Sequence, residues 1–389
     1  MRFSLRRSGS GRALPSLSAL LVMLVAFWTP ELSAQKPAKG DQKADAAGQA
    51  QAQAQQQEIQ NLVRIADAAM SGQPAPSDFP IQFQNDFLKA QGSRVWVPVT
   101  LTLDPSKLSS PSPALTLYLR VVPRGMTAPP PPAEPPKDAK DKDKKDKKND
   151  KTAPAAAPTV NYPFEDAQVL DAKPVTAGQP LRIMRGIGVP PGSYDLYVVL
   201  HERVNDPSQG RGVVPTAPGK TAVLKQPLDV PNFAGGEFST SSVILAERVD
   251  QLPAPIGPDQ QSERPYAFGQ TEIVVSPEHK FKKSQELIVL LQIYNPMLSP
   301  EKKFNLEATY TFYKTEGGAE KRFNATEPQT FTNETMGAGF DPSGNNSIQA
   351  GQGVPLQSFP DGNYRLEIKI TDKLSSKVLT QNVNFTVTP

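Results

Sequence analysis

Apolar residues recur at every second position through long stretches of this chain. Val95, Val97, Val99, Leu101 and Leu103 share one face, and Leu115, Leu117, Leu119 and Val121 repeat the pattern. A period of two belongs to half-buried β-strands. The same reading predicts strands over 78–87, 160–170, 193–201, 221–228, 240–245, 286–294, 305–313, 363–371 and 377–387. In 305–313, Leu306, Ala308, Tyr310 and Phe312 face one way, and Glu307, Thr309, Thr311 and Tyr313 the other. Such alternation marks an antiparallel sheet with one solvated face. Helical spacing is clearest at Ile59, Leu62, Val63, Ala66 and Met70, predicting one short amphipathic helix over 58–72. That helix either packs on the first domain or binds a partner.

One segment is written twice. Pro190-Pro191-Gly192-Ser193-Tyr194-Asp195-Leu196 returns as Pro360-Asp361-Gly362-Asn363-Tyr364-Arg365-Leu366, 170 residues later. Each copy is a Pro/Gly turn feeding an alternating strand. A Tyr placed just after the turn matches the tyrosine corner of immunoglobulin-like sandwiches, where its hydroxyl ties down neighbouring backbone. The spacing is too long for a solenoid repeat, so two related β-sandwich domains are expected. The fold class is therefore all-β, with two antiparallel Ig-like β-sandwich domains spanning 76–250 and 266–389. Residues 251–265, with four prolines, read as the linker between them.

Polar and low-complexity segments complete the layout. Residues 35–57 are Ala, Gln and Lys with little to bury, and read as a flexible leader. Residues 124–160 hold a Pro-rich stretch and then Lys137–Lys151, which contains eight Lys and five Asp. That composition cannot offset its chain entropy by burial, so a long disordered insert is expected within the first domain, or else a linker.

The N-terminus changes the charge picture. Arg2, Arg6, Arg7 and Arg12 precede a short apolar run from Leu17 to Trp28, and Leu32-Ser33-Ala34 offers small residues. This is the pattern of a secretory signal peptide over residues 1–34, cleaved between Ala34 and Gln35; a retained anchor is the other possibility. Its four Arg and one Glu account for the formal net charge of +3 of the whole chain. No basic patch then remains to suggest nucleic acid, and no later segment is apolar enough to cross a bilayer. The chain has no Cys, which excludes disulfides and thiol chemistry. An exported protein without disulfides fits a bacterial envelope, periplasmic or extracellular.

Candidate chemistry is sparse. The two His, His201 and His279, fall in different domains with no triad partners in sight. No metal-ligand spacing or cofactor motif is present, so catalytic residues, metal and cofactors are all expected to be none. Gly219-Lys220-Thr221 resembles the end of a phosphate-binding loop, but Val214 stands where the first motif glycine belongs and a strand follows. The two repeats differ in their outward strips. The second shows Arg365, Glu367, Lys369 and Thr371, a solvated set, whereas the first shows Asp195, Tyr197, Val199 and His201. Tyr197, Val199 and His201 are thus the candidate contact residues, unless the helix or the other domain covers them.

Phe238–Ala246 (FSTSSVILA), Gly269–Pro277 (GQTEIVVSP) and Leu287–Asn295 (LIVLLQIYN) together resemble the S-x-I-x-L-A, I-x-P and E-I-Y-N elements of exported bacterial proteins of the GWxTD-domain and VWFA-related kind. Here Gln292 replaces the usual Glu. With Trp28 and Trp96 as the only tryptophans, the GWxTD segment itself is missing. The resemblance implies a β-sandwich and export, and supplies no catalytic residue. The function expected is non-enzymatic binding or scaffolding of an envelope or extracellular protein. A carbohydrate-binding β-sandwich module, with polysaccharide as partner, is the alternative.

Overall fold

The computed structural model describes residues 39–90, 92–109, 114–127, 160–170, 178–203, 219–337, 340–342 and 346–389, with backbone alone for 39–52. The expected signal peptide, residues 128–159 of the expected insert and residues 204–218 lie outside the described residues.

Helix α1 spans Lys39–Met70. It therefore begins well before the expected 58 and takes in most of the segment expected to be flexible leader. Ala, Gln and Lys bury little, but they are among the strongest helix formers, and no proline interrupts them. The helix closes at Gly72, whose φ of 77° suits a residue without a Cβ.

The first sandwich contains β1 (Gln82–Asn85), β2 (Leu88–Lys89), β3 (Val95–Leu103), β4 (Ala114–Pro123), β5 (Phe164–Leu170), β6 (Leu181–Val189), β7 (Gly192–Arg203) and β8 (Thr221–Val230). One sheet has the order β5-β4-β7-β8. The other centres on β3, which pairs with β1, β2 and β6. Their inner faces meet through Val95, Val97, Val99 and Leu101 on one side and Leu117, Leu119, Leu196 and Val198 on the other. Residues after Thr221 form strand β8, as the rejection of a phosphate loop requires.

The second sandwich begins earlier than 266. It contains β9 (Ser239–Thr240), β10 (Ile244–Gln251), β11 (Ala267–Phe268), β12 (Thr271–Val275), β13 (Lys280–Lys282) and β14 (Glu286–Tyr294). It continues with β15 (Asn305–Glu316), β16 (Ala319–Ala325), β17 (Gln329–Thr332), helix α2 (Asn333–Met336), β18 (Ile348–Pro355), β19 (Gly362–Asp372) and β20 (Val378–Thr388). One sheet runs β11-β12-β10-β14-β18, and the facing sheet runs β13-β20-β19-β15-β16. Pairing is antiparallel except between β13 and β20. Leu287, Val289, Leu291 and Ile293 pack against Leu306, Tyr310, Leu366 and Ile368.

The domain boundary therefore needs correction. Strands β9 and β10 pair with β14, so residues 239–251 belong to the second sandwich. Residues 251–265 are a turn-rich connection inside its sheet. Their prolines break strand pairing as expected, but the chain remains in the same domain.

The two sandwiches meet sheet to sheet. Leu88, Trp96 and Met184 of the first pack against Ile244, Tyr266, Ile273, Val275 and Leu290 of the second. Backbone bonds cross the seam as well. Ser242 N donates to Phe87 O at 3.0 Å, and Gly186 N donates to Ser262 O at 2.7 Å. The indole Nε1 of Trp96 donates to Pro265 O at 2.8 Å.

Candidate functional site

The repeated turn is a structural device in both copies. The Tyr194 hydroxyl donates to Pro191 O at 3.3 Å, and the Tyr364 hydroxyl to Pro360 O at 2.6 Å. Both rings are buried, and Leu196 and Leu366 two residues on are fully so. Gly192 and Gly362, at φ of 151° and 141°, turn the chain into β7 and β19. These two strands hold interior positions in their sheets.

The candidate contact strip is covered. Residues 58–70 of α1 lie on the outer face of the β5-β4-β7-β8 sheet. Leu62 and Ala66 pack on Tyr118 and Val199, and Met70 packs on Val122 and Tyr197. Tyr197 and Val199 are buried. His201 is half-buried, with Nδ1 at 2.9 Å from the Thr221 hydroxyl, and burial pushes its pKa below the usual value. The strip is internal packing for the helix, and it is withdrawn as a partner site. The mixed aromatic and aliphatic composition signalled burial rather than recognition.

A buried arginine fastens this helix. Arg120, on the same covered face, is paired with Asp67 of α1 and with Glu165 of β5, the latter at 2.8 Å. The ring of Tyr162 lies 4.3 Å from its guanidinium carbon. Burial opposes the charge, but the hydrogen bonds that Arg120 donates to Asp67 and Glu165, with the charges beside it, outweigh it and hold the pKa above the ordinary arginine value.

Open polar space lies at the seam instead. A hollow of about 180 Å³ is lined by Gln84, Asn85, Asp86 and Thr100 of the first sandwich and by Tyr266, Ser276 and His279 of the second, with Ile244, Leu245 and Val275 as its apolar wall. Three features of the chain build it. The β1–β2 connection carries Asp86 to the seam, where the Tyr266 hydroxyl donates to Asp86 Oδ2 at 2.6 Å. The Gln84 amide donates to Pro277 O. His279 sits in a turn at a φ of 49°, with Nδ1 at 3.0 Å from Asn384 O. Burial pushes the Asp86 carboxyl above its usual pKa, against the lowering effect of the Tyr266 hydroxyl and of nearby His279. Burial, with Asp86 beside it, also pushes Tyr266 well up.

A second hollow of about 430 Å³ shares Gln84, Pro277 and His279 with the first, and opens over Thr315, Asn363, Asn384 and Thr386. Its charged side chains are already matched. Arg365 binds Glu320 and Glu367, both at 3.0 Å, and Glu278 pairs with Arg182. What remains is a row of hydroxyls and amides. No group of three or more potential metal-ligating side chains occurs among the described residues.

Nothing in the sequence joins His279 to Asp86 or Tyr266. Asp86 lies 180 positions before Tyr266 and 193 before His279, and the seam that unites them has no local signature. Trp96 was the available hint. It points outward from a strand whose valines point inward, and a large aromatic on the supposedly solvated face signals a covered one.

No family model matches the chain, and no curated protein matches it. Among solved structures, a calcium binding mutant of Bacteroides uniformis beta-glucuronidase 2 is similar over 79% of this chain and 33% of its own, at 10% identity and a TM-score of 0.21. At that score the likeness carries no argument about this protein. Among the described residues, no helix is long and apolar enough to cross a membrane.

Proposed function

We propose that this is a non-enzymatic binding or scaffolding protein exported to the bacterial envelope or beyond it, and that the seam hollows are its ligand site. The observation that carries this reading is their lining: the two sandwiches converge mostly neutral hydrogen-bonding side chains on two neighbouring hollows, while the charges around the larger one satisfy one another. Preformed concavities with a few convergent polar groups are where small ligands bind. The export reading rests on the Arg-rich start, the short apolar run and the absence of Cys.

A saccharide is the ligand that the lining favours. Asn, Gln, Thr and Ser side chains offer paired donors and acceptors to hydroxyl groups, and they carry no net charge to reject a neutral ligand. Titration of the full chain with oligosaccharides, beside Asn384→Ala and Thr386→Val, tests this. Binding that weakens at least about tenfold in the variants, without loss of Tm, supports the site. Unchanged binding in both places the ligand elsewhere.

A further inference from the structure

Asp86 is the one charged side chain around the seam hollows that its neighbours leave unbalanced. Its Oδ2 accepts the Tyr266 hydroxyl at 2.6 Å, and Ser242 lies beside it. Among the described residues, no Lys or Arg forms an ion pair with it, whereas Arg365, Glu320 and Glu278 around the second hollow all have oppositely charged partners. The remaining walls of the smaller hollow are the neutral side chains of Gln84, Asn85, Thr100, Tyr266 and Ser276, an apolar side, and His279. A carboxylate withdrawn from water without a cation is costly, and the cost is relieved when a cationic group arrives at hydrogen-bonding distance. The hollow beside Asp86, about 180 Å³, is sized for a small head group rather than a chain. The larger hydroxyl- and amide-lined hollow adjoins it, sharing Gln84, Pro277 and His279.

We infer that the seam site selects an amino sugar with a free amine, seating the ammonium against Asp86 and laying the following sugar units along Thr315, Asn363, Asn384 and Thr386. This deepens the saccharide reading of the same site and rests on it. Asp86 confers the selectivity, while the neutral lining contributes affinity that any sugar of the same shape shares. His279 stands in the same wall.

The test uses the full chain and three β-1,4-linked trisaccharides of one backbone: the glucosamine trimer, its N-acetylated form and cellotriose, titrated by calorimetry near neutral pH. The expected result is at least about tenfold tighter binding of the glucosamine trimer than of the other two, the scale of one charge-assisted contact. Asp86→Asn keeps the shape and the bond to Tyr266. It should reduce the glucosamine trimer to the affinity of the N-acetylated form while leaving cellotriose unchanged. Equal binding of the three trisaccharides by the wild-type chain overturns the amine selectivity and leaves the saccharide reading standing. A preference that survives in Asp86→Asn also overturns it, because the amine is then held elsewhere. Binding of none of them, with the melting curve intact, removes both readings.

Discussion

At the scale of single residues, the paired tyrosines make the firmest prediction. Tyr364 is fully buried against Phe359 and Phe385 and bonds Pro360 O at 2.6 Å. Tyr364→Ala should cost about 3–5 kcal/mol by emptying that volume. Tyr364→Phe should cost only about 1 kcal/mol, the worth of one hydrogen bond. Urea unfolding of both variants checks the ratio, and equal costs would mean the ring contributes little. Asp86 makes a prediction of opposite sign. Its pKa is raised on folding, so the folded state holds the proton more tightly than the unfolded chain does. Stability is therefore highest below the ordinary aspartate pKa and falls as pH rises through the raised one. Asp86→Asn should escape that fall, so its Tm advantage should widen from acid towards neutral pH. A pH-independent difference would show that the carboxylate ionises there without penalty. Gly186 is a third case. A Cβ there would lie 1.9 Å from the Trp96 ring, whose indole N–H is tied to Pro265 O. Gly186→Ala should cost about 1–3 kcal/mol through overpacking, measurable in the same assay.

At the scale of elements, α1 and the strands show what the sequence made legible. Strands β14, β15, β19 and β20 were readable within three residues: β15 and β19 alternate between a core and a more polar face, and β14 is a short apolar run. Strand β6 was not foreseen. Its segment LRIMRGIGV puts Gly186 and Gly188 under Trp96 and Arg94, and places Arg185 on the face of Ile183, Ile187 and Val189, where alternation would call for an apolar residue. The boundary at 250 failed for a related reason. Proline density marks a break in pairing but not which sheet the next strand joins, and a bulge at Ser241 and Ser242 hides the continuity of β9 and β10. That bulge has a job on each side. Ser241 Oγ accepts from Gln292 N at 2.8 Å, and Ser242 Oγ accepts from Phe87 N at 2.9 Å across the seam. The candidate contact strip misled because sequence shows which face is apolar but not what covers it. Removing residues 1–72 tests the cover. It should expose Tyr118, Val122, Tyr197 and Val199 and strip Asp67 from Arg120, giving a chain that binds a hydrophobic dye and aggregates. A monomeric, dye-silent product would show that the sheet needs no helix.

At the scale of the whole molecule, the seam joins what the repeat separates. The internal duplication announced two sandwiches, but it did not announce that their neighbouring sheets would share an apolar layer. Leu88, Ile244 and Tyr266 are buried there, and Trp96 packs beside them. The two cores should accordingly unfold together, with calorimetric and van't Hoff enthalpies in agreement. Trp96→Ala removes the largest seam side chain. It should lower stability by about 3 kcal/mol and resolve the single transition into two. One transition persisting in that variant would mean that the backbone bonds alone couple the halves.

The shared layer also bears on how such a protein is inherited. A recombination event that cut the gene between β8 and β9 would separate two sandwiches that each look complete in outline. Each product would then display an uncovered hydrophobic sheet, and neither would keep both Asp86 and the residues of the second sandwich that face it. Shuffling at that joint is therefore penalised twice, in solubility and in binding. The pair is expected to travel through genomes as one indivisible cassette, with duplications and fusions placed outside it.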